Sequence, residues 1–125
     1  MRKFEFKKSY EEIEIAGKVY KVSLKDNDRK RCSKQILKFN DIVTKVNVTD
    51  ETSLNVEAAI KLEEDFKDTL LETLDVLFGE GSGDELYKAA DEQTEELIPI
   101  VFEVAEIVQE RRQEKISKYT KKKGK

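Results

Sequence analysis

The period of the apolar positions changes along this chain, and each change marks an element. Phe4 and Phe6 alternate with polar residues, Ile13 and Ile15 share a face, and Tyr20, Val22 and Leu24 share another after Gly17. A period of two on both sides of Ala16-Gly17 predicts a β-hairpin, with Phe4 to Lys7 as a candidate third strand. An isolated hairpin is marginal in water, so its apolar face must pack on helices. Asp26-Asn27-Asp28 then supplies helix-start residues. Cys32, Ile36, Phe39, Val43 and Val46 follow at spacings of 4, 3, 4 and 3, one face of a helix. Asn47 to Ser53 is polar and turn-like.

Leu54 to Phe78 predicts one long helix. At about 100° per residue, Ala59, Leu62, Phe66, Leu70, Leu74 and Leu77 fall in one arc. Ile60, Leu71 and Phe78, about 120° around from Phe66, widen it past half the circumference, with Lys67 inside the extension. A surface helix needs an apolar stripe of only about 100° or somewhat more. The seam Ile60, Lys67, Leu71 and Phe78 is therefore the candidate partner-binding surface, unless the domain's own helices cover it. Glu57, Lys61, Glu64, Asp68 and Asp75 make the opposite face.

Asp84 to Ala90 predicts a short helix, and a last long one begins near Thr94. Pro99 demands either a later start or a kink. From Leu97 to Val108 the charged residues are Glu103 and Glu106, so this helix is expected to be central. Ile116 and Tyr119 continue the face of Val101, Val108 and Arg112. The fold class is α+β, mainly α: an N-terminal hairpin or small antiparallel sheet packed on three long helices and one short helix. Residues 1–120 read as one domain, with a hairpin region over 1–25 and a helical region over 26–120. Residues 121–125 form a basic tail expected to be disordered.

Composition narrows the chemistry. The 125 residues suffice for a single core, and at 41% charged and 38% apolar that core is lean beneath an ionic surface. There is no apolar run long enough for a membrane span and no signal-peptide core near Met1. Histidine is absent and Cys32 is the sole cysteine, which removes a Cys–His nucleophile and a Cys/His zinc site. Cys32 lies on an apolar stripe and reads as a buried, inert thiol in a reducing compartment. No catalytic, cofactor or metal site is expected.

The net charge of −3 hides segmentation: residues 1–38 hold 12 basic and 6 acidic residues, 39–110 hold 4 and 20, and 111–125 hold 8 and 1. A basic end can bind nucleic acid, but the acidic middle would repel a phosphate backbone. The glycine-rich stretch Gly79-Glu80-Gly81-Ser82-Gly83-Asp84-Glu85 has the look of a phosphate loop and the wrong charges for one. Helix punctuation fits it better: Gly79 ends one helix, and Ser82 with Glu85 forms a capping box for the next.

Three stretches also carry a resemblance. Leu77-Phe78-Gly79-Glu80-Gly81-Ser82-Gly83-Asp84-Glu85-Leu86-Tyr87 resembles tail assembly chaperones of long-tailed bacteriophages of Gram-positive hosts. So do Phe4 to Tyr10 with Glu11 to Val22 (EEIEIAGKVYKV), and Phe102 to Glu110 (FEVAEIVQE) leading into the lysine-rich end. The segment from Lys25 to Leu54 carries none of it. The resemblance implies a non-enzymatic protein, without cofactor, that binds the tape measure protein and keeps it soluble while tail-tube subunits polymerise around it. It implies self-association, the tail-tube protein as a second candidate partner, action in the host cytoplasm and absence from the mature virion. It also implies a longer product made by a programmed frameshift near the lysine-rich end. The competing reading is a small nucleic-acid- or host-protein-binding protein acting through its basic termini.

Overall fold

The structure is a computed structural model, which describes residues 1–48 and 56–123, with side chains over 1–46 and 56–111. Strands β1 (Tyr10–Ile15) and β2 (Lys18–Ser23) are followed by helices α1 (Asp26–Val48), α2 (Val56–Phe78) and α3 (Ser82–Ala89). A 3₁₀ turn over Thr94–Leu97 then leads into α4 (Ile98–Lys123). The fold is α+β and mainly helical, a two-stranded antiparallel hairpin on three long helices and one short one.

The hairpin turns at Ala16-Gly17, with Ile15 opposite Lys18. Both turn residues have positive φ, 51° at Ala16 and 84° at Gly17, which suits a two-residue hairpin turn of the I′ kind. Tyr20, Val22 and Leu24 are buried, and Ile13 and Ile15 are half-buried on the same face. Phe4 to Lys7 does not add a third strand. Residues 1–8 have no regular structure, and Phe4 and Phe6 are 91% and 95% exposed. The physical reason lies one residue later. The Lys8 carbonyl accepts a bond from the Arg111 guanidinium on α4 (2.9 Å), which holds the chain there before β1 begins. Arg111 also pairs with Glu11 at 3.2 Å.

The α1 stripe is buried at Cys32 and Phe39, and burial raises the Cys32 thiol pKa above its ordinary value. Leu70, Leu74 and Leu77 of α2 are buried opposite it. Thr73, fully buried between the two helices, accepts a bond from Gln35 (3.0 Å) and donates to the Thr69 carbonyl (2.7 Å). Burial fades toward the other end of the pair: Ala59, Leu62 and Phe66 are only half-covered, and Val46 is 39% exposed. Of the predicted loop, Asn47 and Val48 are helical, and 49–53 lie outside the described residues, as does Leu54.

The turn from α2 to α3 uses Gly79 (φ +119°) and Gly81 (φ +90°), conformations that side chains rarely adopt. The expected capping box does not form. Gly81 is the N-cap, Ser82 lies inside the helix and is buried, and no side chain bonds at the cap position. The acceptor comes instead from α2, where Asp75 Oδ1 takes the Gly83 N–H at 2.7 Å. A Cβ on Gly83 would lie 2.4 Å from the Leu71 carbonyl oxygen, so glycine is what lets α3 sit this close to α2. Glu85 reaches outward to the hairpin: Lys18 pairs with it and Tyr20 Oη donates to it at 2.9 Å. The bond from Lys18, then that from Tyr20, lowers the Glu85 pKa, and the bond to Glu85 raises that of Lys18. Burial, then the bond to Glu85, raises that of Tyr20.

Pro99 is settled by a later start. The 3₁₀ turn covers Thr94–Leu97, and Pro99 falls in the first turn of α4, where its missing N–H costs nothing. Yet α4 is not central as its composition suggests. Leu97, Val101, Val104 and Val108 are buried, while Pro99 is exposed and Phe102 is 44% exposed. The α4 backbone is helical to Lys123, three residues into the expected tail, and the side chains of Arg112, Ile116 and Tyr119 are outside the described set.

Candidate functional site

The predicted seam is divided by α3. Leu71 and Phe78 are half-buried against the core, and the Phe78 ring lies 5.3 Å from that of Tyr20. Lys67 places its ammonium 4.4 Å from the centre of the Tyr87 ring, a cation–π contact with α3. Ile60 alone of the four stands open, at 49% exposure. The broad apolar arc of α2 is thus largely answered from within: its core arc meets α1 and α4, and its extension meets α3 at Lys67 and Leu71 and the hairpin at Phe78. A short helix with two glycines before it and one inside it gave little sign that it would cover so much of its neighbour.

Open apolar surface occurs at two other places. The first is a groove of about 960 Å³ between α1 and α4. Ile36 and Leu37 form its α1 wall, and Ile98, Phe102, Ala105 and Val108 its α4 wall. Leu37 is 64% exposed, and Phe102 stands edge-on to the buried Phe39 ring with centroids 6.1 Å apart. Ser33, Asn40, Glu103, Glu106 and Gln109 supply polar edges. An apolar floor with polar borders suits the apolar face of an amphipathic helix. Leu37 and Phe102 were not read as site residues, although Leu37 carried a signal: it is a large apolar residue off the Cys32-Ile36-Phe39-Val43 stripe.

The second is a cleft of about 730 Å³ where burial fades, enclosed by the late part of α1, the early part of α2 and the 3₁₀ turn. Val46, Ala59, Leu62, Phe66 and Ile98 are its apolar lining, and Glu63, Glu64, Glu95 and Glu96 its acidic one. Ile98 borders both cavities.

The described residues contain no group of three or more His, Cys, Asp or Glu placed to hold a metal ion, and no helix among them is long and apolar enough to cross a membrane. Compared with known proteins, the chain matches no family model, no curated protein and no solved structure.

Proposed function

We propose that this chain is a non-enzymatic helix-holding protein of the phage tail assembly chaperone kind, binding a tape measure protein through the groove between α1 and α4. The observation that carries the reading is the exposure of Leu37 and Phe102 on facing walls of an apolar groove. An unliganded small domain hides large apolar groups where its own elements allow, and a contiguous exposed set marks a binding surface. The resemblance supports the same place, since the stretch Phe102 to Glu110 supplies most of the α4 wall. A tape measure protein is long and helical, and an amphipathic helix offers apolar side chains at the spacing such a groove accepts. Holding it covers its apolar face until tube subunits enclose it.

Co-expression with a phage tape measure protein from the same genome tests the proposal. The chain keeps that partner in the soluble fraction, and Leu37→Asp with Phe102→Asp sends it to the pellet. Soluble partner with the double variant would remove the groove from the account. Insoluble partner with the unaltered chain would remove the function.

A further inference from the structure

Two sets of exposed apolar side chains stand without cover. One is the groove pair Leu37 and Phe102, and the other belongs to the arm over residues 1–8, which has no regular structure. Phe4 and Phe6 of the arm are 91% and 95% exposed. In an extended chain they fall on one side, with Lys3, Glu5 and Lys7 on the other.

The arm leaves the fold beside both helices of the groove. The Ser9 carbonyl accepts the Leu24 N–H at 2.7 Å, just before α1 begins, and the Lys8 carbonyl accepts from Arg111 of α4. Arg111 lies half a turn beyond Gln109, where the α4 wall ends. On α1 the wall begins at Ser33, roughly 10 Å along the helix from Asp26. From Lys8 an extended chain spans roughly 13 Å to Phe4 and roughly 23 Å to Met1. That length brings Phe4 to the near end of the groove, at Ser33, Val108 and Gln109.

Charge favours the same docking. Glu103 and Glu106 edge the groove, and neither forms an ion pair among the described residues; nor do Arg2 and Lys3 of the arm. In this structure the arm stands clear and the groove is open. Covering apolar surface favours closure, and fixing a short extended segment opposes it. Such a contact holds part of the population and yields to a better occupant.

We propose that the arm folds back into the groove between α1 and α4 of its own chain, seating Phe4 and Phe6 at the Ser33–Val108 end with Arg2 and Lys3 toward Glu103 and Glu106. An incoming helix must displace it, so the arm guards the apolar surface while no partner is present. The inference rests on the groove being the binding surface proposed above and names what regulates it.

Disulfide trapping tests the contact without any tape measure protein. The full chain carrying Lys3→Cys and Ser33→Cys, dilute and mildly oxidised, should give a cross-linked monomer seen as a mobility shift. Lys3→Cys alone should give none, because the remaining thiol, Cys32, is buried. Adding Phe4→Ser and Phe6→Ser should slow trapping about fivefold or more. Both phenylalanines are exposed in the open arrangement, so this variant keeps the fold. In the otherwise unaltered chain, the same serine pair should tighten binding of anilinonaphthalene sulfonate about threefold through the vacated groove. Leu37→Asp with Phe102→Asp should abolish that gain. Trapping at the same rate with and without the phenylalanines would mean an arm that visits at random, and a cross-linked dimer would place it on another copy. Either result, or weaker dye binding by the serine variant, would overturn the proposal. A chain that traps its arm yet leaves the tape measure protein insoluble would uphold this contact and refute the function.

Discussion

Ala16 sits with φ of 51° in the hairpin turn, where its Cβ crowds the following carbonyl at a cost of roughly 1–2 kcal/mol. Asn tolerates this conformation and precedes Gly in the favoured turns of this length. Ala16→Asn should therefore stabilise the chain by about 1 kcal/mol and raise the melting temperature by about 4 °C, read by thermal denaturation. Glu85 ties α3 to Lys18 and Tyr20, and its carboxyl is held below the ordinary value of 4.5. A lowered folded pKa means stability that is present above 4.5 and lost as pH falls through the folded value. Glu85→Gln should melt below the parent at neutral pH, and the gap should close as acid protonates the parent's carboxylate. A gap that does not change with pH would refute the pairing. Leu71 is half-buried under α3, so Leu71→Ala should cost about 1–3 kcal/mol in urea denaturation and leave partner binding intact.

At the scale of elements, α3 shows how much of the chain was legible and where legibility stopped. Its existence and the glycine punctuation before it follow from Gly79, Gly81 and the polar residues between helices. Its cap does not, because the acceptor is Asp75, on the preceding helix and eight residues before the N–H it receives. Asp75 read as one more charge on the solvent face of α2, and local spacing says nothing about a partner brought in by a turn. Gly83 is similar: in sequence it belongs to a flexible run, and in the fold its missing Cβ is the contact with the Leu71 carbonyl. Gly83→Ala should raise helix propensity yet lower stability by about 1–3 kcal/mol, through overpacking. Unchanged stability would mean that α3 can shift away from α2 at little cost. The alternation Phe4-x-Phe6 misled for the same reason. A period of two requires a neighbouring edge to pair with, and Arg111 holds the chain at Lys8 from a distance of over a hundred residues.

For the molecule as a whole, the helix stripes read from the sequence are the ones the core uses, so the architecture was largely visible in the periods. What the periods could not show is how evenly each stripe is covered. Cys32, Phe39, Leu70, Leu74 and Leu77 are buried near the hairpin, whereas Val46 and Ile60 stand open at the far end. The α4 helix has one side without cover, which exposes Phe102 opposite Leu37. The seam on α2, chosen for its width, is mostly closed by α3, and the groove lies between helices whose contact no single-helix pattern describes. Hydrogen exchange with and without a helical fragment of the tape measure protein tests the central claim most directly. Protection should appear on binding in residues 33–40 of α1 and 98–109 of α4, and should be lost with Leu37→Asp and Phe102→Asp. Protection confined to the hairpin and α3, or none at all with a fragment the full chain keeps soluble, would contradict it.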